Sequence, residues 1–267
     1  MDLVRDFEQI VDFELVQDFE VASGFPDLVG NWQQDFQDPP STGGESAESD
    51  PFFASVVALL HFNGAQDSTT ITDVRGHDFA ATVQDTGPKL DTTIKKFGAS
   101  SVYMGNNTVN TGYITCTASA DFGFGTGDFT VDIWVYQTDQ GAVGKIIQVN
   151  NGTSVRWTMD WSGTALVVNN GSSDLITANA AYTANAWHLL TYSRVGTTGY
   201  LFVDGVLKGS ATDATNYASG SLSFSLRSDA PPFNHFRGYF DEARVTKGVG
   251  RHTENFPAPD FPFAEAA

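Results

Sequence analysis

The run GDFTVDIWVYQ, residues 127–137, alternates with a period of two. Phe129, Val131, Ile133 and Val135 fall on one side, and Thr130, Asp132 and Trp134 on the other. That is a strand's period, because successive side chains of an extended chain point to opposite faces, whereas a helix repeats every 3.6 residues. Further strand-like runs follow the same grammar: ASVVALLHF (54–62), ALVVNN (165–170), WHLLTYSR (187–194), YLFVDGVLKGS (200–210), SLSFSLRS (221–228) and GYFDEARVTK (238–247). Asp204-Gly205, between YLFV and VLKG, has the chemistry of a two-residue hairpin turn. No segment sustains the helical period. Many short strands joined by Gly, Asn and Asp turns predict an all-β chain, an antiparallel two-sheet jelly-roll sandwich. Trp134 and Trp187 sit in apolar strands and read as core.

The 267 residues and 21 phenylalanines suffice for a sizeable core. A lone cysteine, Cys116, excludes an internal disulfide and reads as a buried small hydrophobe. No run of 18 apolar residues exists, so no membrane span is expected, and no basic-then-apolar leader marks a signal peptide. The formal charge of −18 is uneven: residues 1–50 hold 13 acids and one base, Arg5, out of 32 acids and 14 bases in all. Phosphates would be repelled, so nucleic acid is not an expected partner.

That acidic end carries a repeat. Asp-Phe-Glu occurs at 6–8, 12–14 and 18–20. On a helix, six residues turn successive Phe about 120° apart, and no apolar face results. In an extended chain Phe7, Val11, Phe13, Leu15 and Phe19 share one side, and the paired acids crowd the other. Residues 1–38 therefore read as an extended arm, reaching about 60 Å over its repeat, that anchors on a neighbour through those five side chains. Each buried Phe is worth roughly 2–3 kcal/mol. PPSTGGESAESDP marks a linker at 39–50 before a body at 51–267.

In that body SVVALLHFNGAQDSTTITDVRGHDF, KKFGASSVYMGNN, YITCTASADFGFGTGDFTVDIWVY, NAWHLLTYSRVGTTGYLFVDGVLKGSATD and GYFDEARVTKGVGRHTENFPAPDFPF stand in order. Together they resemble a LamG-like domain of the concanavalin A-like lectin/glucanase superfamily. The last block is similar to the version common in bacteriophage virion proteins. The resemblance implies two face-to-face antiparallel sheets; it does not imply one function, because the fold hosts lectins, hydrolases and structural modules. It also implies where chemistry would sit. Glucanases of the fold carry Glu-x-Asp-x-Glu on one concave strand, which spaces two carboxylates for retaining hydrolysis. This chain has no such triplet, so no catalytic residue is assigned and no enzyme is expected. Related jelly rolls hold a structural calcium between an early loop and a late strand, which points to Asp73 and Asp241. Asp241 and Glu242, adjacent in a strand, are expected on opposite faces, and a half-buried Asp241 needs a backbone N–H, Arg244 or a cation. Otherwise no cofactor is expected.

Sugar binding would use exposed aromatics, and Trp157 and Trp161 in VRWTMDWSG are the candidate pair, with Tyr217 and Phe233 in later loops. The competing reading packs Trp157 inside the sandwich and sets Trp161 over an edge. Arm and body together suggest a structural protein of a bacteriophage virion, a capsid decoration or head/tail fibre component. Its partners would be capsid or tail subunits, with a homo-oligomer, such as a trimer, braided through the arms. The alternative is an adhesin that binds host surface glycans through the jelly roll.

Overall fold

The structure, a computed structural model, describes residues 49–83, 86–105, 112–152, 154–225 and 235–266. The arm with Phe7, Val11, Phe13, Leu15 and Phe19, nearly all of the linker, and Phe233 lie outside the described residues.

The strands, numbered along the chain, are β1 (Val56–Leu60), β2 (Phe79–Thr82), β3 (Lys89–Asp91), β4 (Ser101–Tyr103) and β5 (Tyr113–Cys116). Then come β6 (Phe129–Gln137), β7 (Gly144–Asn150), β8 (Val155–Trp161), β9 (Ala165–Asn169) and β10 (Asp174–Asn179). The last five are β11 (Trp187–Val195), β12 (Thr198–Val203), β13 (Val206–Thr212), β14 (Ser221–Phe224) and β15 (Gly238–Lys247). One sheet runs β13-β12-β11-β6-β15-β4-β3, with β1 also on β15; the other runs β10-β9-β8-β7-β14-β5-β2. All strand pairs in both sheets are antiparallel. The all-β sandwich expected from the sequence is what forms.

The alternation of β6 does the sorting. Phe129, Val131, Ile133 and Val135 enter the core between the sheets, where they meet Ile147, Val149, Trp157, Met159 and Trp161 of the facing sheet. Phe129 lies edge-on to Trp157 with ring centres 5.9 Å apart, a favoured aromatic geometry. Cys116 is buried there too, and burial pushes its thiol up to about 11. The Asp204-Gly205 turn is as expected: both residues have positive φ, 51° and 73°, and join Val203 to Val206.

The other side of β6 faces a second, separate cluster. Trp134 packs with Val56, Leu59, Leu189 and Phe263, and Trp187 only borders it. Trp134 is therefore core, but not core of the sandwich. Its cover is the irregular tail after β15. Arg251 N donates to Thr130 Oγ1 at 2.9 Å, His252 N to Ser193 Oγ at 3.2 Å, and Phe256 N to the Gly205 carbonyl at 2.9 Å. Phe263 N closes the tail on Glu242 Oε2 at 3.0 Å. Side-chain hydroxyls thus replace a ladder as acceptors, which lets a proline-rich segment lie flat on a sheet. The approach is close enough that a Cβ on Gly205 would sit 1.8 Å from the Phe256 oxygen.

Candidate functional site

Trp157 and Trp161 are buried, 0% and 1% exposed. Neither offers a ring face to a sugar, and the sugar-stacking expectation is corrected to a packing role. Trp157 stands against Phe129 and Tyr192, and Trp161 against Tyr182 with its indole N–H on the Gln140 carbonyl at 2.8 Å. The reason is visible in β8 itself: Trp157, Met159 and Trp161 alternate with Arg156, Thr158 and Asp160, so the polar set takes the outer face.

The calcium expectation also meets a donor set that does not fit. Asp73 Oδ1 accepts from Leu59 N at 2.8 Å and Arg75 N at 3.1 Å, and Oδ2 from His77 N at 3.1 Å, with His77 Nδ1 2.7 Å away. Asp241 Oδ2 accepts from Lys96 N at 2.8 Å and Phe97 N at 3.1 Å, and Oδ1 from Glu242 N at 2.9 Å. Oxygens that face N–H dipoles are arranged for hydrogen bonds, not for a cation. Among the described residues no three His, Cys, Asp or Glu side chains group as metal ligands. Burial pushes Asp241 up to about 7 against its N–H partners. A bulge between Asp241 and Arg244, with Glu242 at φ 44°, breaks the expected alternation of faces. Glu242 turns to His61, whose Nδ1 lies 2.7 Å from both carboxylate oxygens.

Beneath the tail is a cleft of about 410 Å³ lined by Asp132, Leu189, Arg244, His252, Phe256 and Phe263, among others. Its two arginines are paired with Asp50 and Asp132. Arg244 holds Asp132 Oδ2 through Nε at 3.0 Å and Nη2 at 2.8 Å, and reaches Asp50 at 3.1 Å. Arg251 grips both Asp50 oxygens at 2.9 and 2.8 Å. These pairs fasten residue 50 and the tail to the sheet.

A second cleft, of about 330 Å³, opens at the rim of the seven-stranded sheet. The β7–β8 and β9–β10 turns and the β13–β14 loop bring Ser154, Arg156, Asn170, Ser172, Thr215 and Asn216 to its wall, and Tyr217 to its floor. Short hydroxyls and amides dominate, groups that match vicinal hydroxyls with paired donors and acceptors. Gly171 is required here: φ is 87°, and its missing Cβ would lie 2.5 Å from the Val155 carbonyl. The floor is held from below. Arg194, fully buried, donates to the carbonyls of Gly125 at 2.9 Å, Gly127 at 3.0 Å and Thr215 at 2.8 Å. Asp213, buried beside it, accepts from the hydroxyls of Tyr192 at 2.7 Å and Tyr217 at 3.0 Å. Burial first, then the Asp213 charge, pushes both phenols well up, so they stay donors. A loop pinned this way is ordered before any ligand arrives.

From this rim a polar row crosses the outer face. The register aligns Thr115, Ser223, Gln148, Thr158 and Asn169 on consecutive strands. Both amide atoms of Gln148 are buried without a hydrogen-bond partner among the described residues.

A family model described as the concanavalin A-like lectin/glucanases superfamily matches residues 106–253. The chain belongs to that superfamily. No curated protein matches it by sequence. Among solved structures, one concerns botulinum neurotoxin type C, whose cell entry is described as dependent on interaction with two ganglioside molecules. It is 14% identical, with a TM-score of 0.55 over 74% of this chain and 49% of that one. The binding domain of botulinum neurotoxin DC in complex with rat synaptotagmin II gives 15%, 0.55, 74% and 49%. The same binding domain in complex with SialylT gives 14%, 0.53, 78% and 50%. At such identities the likeness is one of fold, and the chain spans about half the length of these structures.

Tyr217, expected from the sequence as an exposed aromatic, is 2% exposed with its hydroxyl on Asp213, and offers no stacking face; the sequence did not point to Ser154, Arg156, Asn170, Ser172, Thr215 or Asn216. The alternation of RWTMDW was the available signal for Arg156.

Proposed function

We propose that this superfamily member is a non-catalytic glycan-binding module displayed on a larger particle. The observation that carries the binding role is the rim cleft: short polar side chains on loops fixed by the buried Arg194–Asp213 pair. Neighbours described as interacting with ganglioside molecules or in complex with rat synaptotagmin II support it by analogy of fold. Catalysis is no part of the reading. The chain has no Glu-x-Asp-x-Glu, and Asp132, Asp241 and Glu242 are each bonded to protein donors.

A panel of immobilised oligosaccharides probed with the purified full chain tests this. Binding to at least one saccharide class is expected, weakened roughly fivefold by Asn216→Ala, the loss of about one hydrogen bond. Asn216 is exposed, so the variant keeps its fold. Equal binding by both proteins would place the sugar elsewhere; no binding would end the reading.

Display on a bacteriophage virion is the second half of the proposal. It is supported by the hexad repeat at residues 4–21 and by the virion-like C-terminal block. Capsid or tail subunits, or the arms of sister chains, would receive Phe7, Phe13 and Phe19. Deleting residues 1–38 is expected to abolish incorporation into particles while glycan binding and the melting temperature of the body hold. A truncated chain that still assembles would show that the arm is not the anchor.

A further inference from the structure

We infer that the ligand of the rim cleft is an acidic saccharide, one whose planar carboxylate is taken by Arg156. This rests on the glycan reading above and narrows it to a ligand class. Three independent observations converge on Arg156.

The first is solitude. Among the described residues the other arginines are engaged: Arg75 lies over the Phe53 ring, Arg194 on three carbonyls, Arg237 on Asp139, and Arg244 and Arg251 on Asp132 and Asp50. Among the described residues Arg156 has no ion pair, hydrogen bond or ring contact, and its Nε is buried with no partner there. In a chain of net charge −18, an arginine without an ion-pair partner among the described residues is unusual. A buried guanidinium N–H without an acceptor is costly, and an incoming anion removes that cost.

The second is backbone geometry. On β8, Val149 pairs with Trp157 but Asn150 pairs with Val155, so Arg156 is the extra residue of a β-bulge. A bulge re-aims a side chain and interrupts a ladder, and bulges collect at functional edges. Without it, strict alternation would hold this rim in register with the rest of β8.

The third is the surroundings. Asp160, on the same face of β8, is committed to Lys145 and Thr158, and Asp174 accepts from the Asn169 amide at 2.8 Å. Asp213 below is held by Tyr192, Tyr217 and Arg194. Among the described residues no carboxylate is bonded to the guanidinium. Ser154, Asn170, Ser172, Thr215 and Asn216 around it suit the hydroxyls of the same sugar. One cation favours a single negative charge, and a planar fork fits a planar carboxylate.

Calorimetry of the full chain with sialyl- and uronate-terminated oligosaccharides, each beside its methyl ester and an analogue that carries a sulfate ester in place of the carboxylate, tests the inference. Binding of the acid is expected to exceed that of the ester on the order of 10- to 100-fold. It should weaken as salt rises. Arg156→Gln should erase the preference, Arg156→Lys should restore only part of it, and neither should shift the melting temperature. Equal affinity for acid and ester, a preference unchanged in Arg156→Gln, or tighter binding of the sulfated analogue would each overturn the carboxylate assignment and leave the glycan reading standing. Absence of binding to every saccharide would overturn both.

Discussion

Arg194→Met is expected to cost roughly 3–5 kcal/mol of folding stability, the range seen when one partner of a buried charged pair is removed. The same change should abolish ligand binding at the rim. The guanidinium is fully buried and packs against both the Phe129 and Tyr217 rings, its carbon 4.9 Å from each ring centre. Methionine fills similar apolar volume but offers no donor. The carbonyls of Gly127 and Thr215 would lose the guanidinium donor, Gly125 would keep only the Tyr217 N–H at 3.0 Å, and Asp213 would lose the cation 3.7 Å from it. Two tyrosine hydroxyls and the Thr215 N–H remain on Asp213, so the site is weakened rather than emptied. Urea denaturation read by tryptophan fluorescence measures the first effect, and the saccharide panel the second. A loss below about 1 kcal/mol would mean the carbonyls find water instead. Full binding in the variant would mean the loops are not set by Arg194.

That residue also shows where sequence legibility ended. WHLLTYSR announced a strand, and the strand is there as β11. Nothing in that run marks its arginine, because its acceptors come from loops far away in the chain, at Gly125, Gly127 and Thr215. Local pattern carries which face a residue takes; it does not carry what covers that face. The period of β6 separated Asp132 and Trp134 from Val131 and Ile133 correctly, yet both faces proved buried, one by the facing sheet and one by the tail. Trp157 and Trp161 were misread for a related reason. Large aromatics serve cores and sugar platforms equally, and only their alternation with Arg156, Thr158 and Asp160 distinguishes the two. Asp241 was legible as a residue in need of a partner; that the partners are the N–H groups of Lys96, Phe97 and Glu242 was a tertiary fact. The solitude of Arg156 is of the same kind, since it is defined by where every other charge goes.

Asp132→Asn is expected to destabilise the fold by about 3 kcal/mol near pH 6, and the difference from wild type should shrink as the solution is acidified. Asp132 is 1% exposed and accepts from Thr191 Oγ1 at 2.7 Å and from two nitrogens of Arg244. Burial pushes its carboxyl up, but Arg244, Arg251 and His252 pull it further down, and it settles below the usual carboxylate range. Asp50, across the same two arginines, is lowered in the same way against its own burial. A carboxylate depressed in the folded state contributes stability above its unfolded value, near 4, and that contribution is lost as pH falls through the folded value. The asparagine variant lacks one such group, so its stability should fall less steeply between about pH 4 and pH 2. His61 works with the opposite sign. Burial lowers it, but Glu242, Glu265 and Asp241 raise it above its ordinary value, so its contribution is complete below about pH 6.5 and is lost as pH rises through the folded value. Glu242 also receives the N–H of Phe263, and Arg244 lies over the Phe263 ring at 4.0 Å. The tail is therefore fastened at two points with opposite pH dependence, the Asp132–Arg244 pair failing in acid and the His61–Glu242 pair weakening in base. Melting temperatures of wild type and variant measured from pH 2 to pH 9 check this. A gap between the two proteins that stays constant across the acid range would show that Asp132 acts through packing and not through its charge.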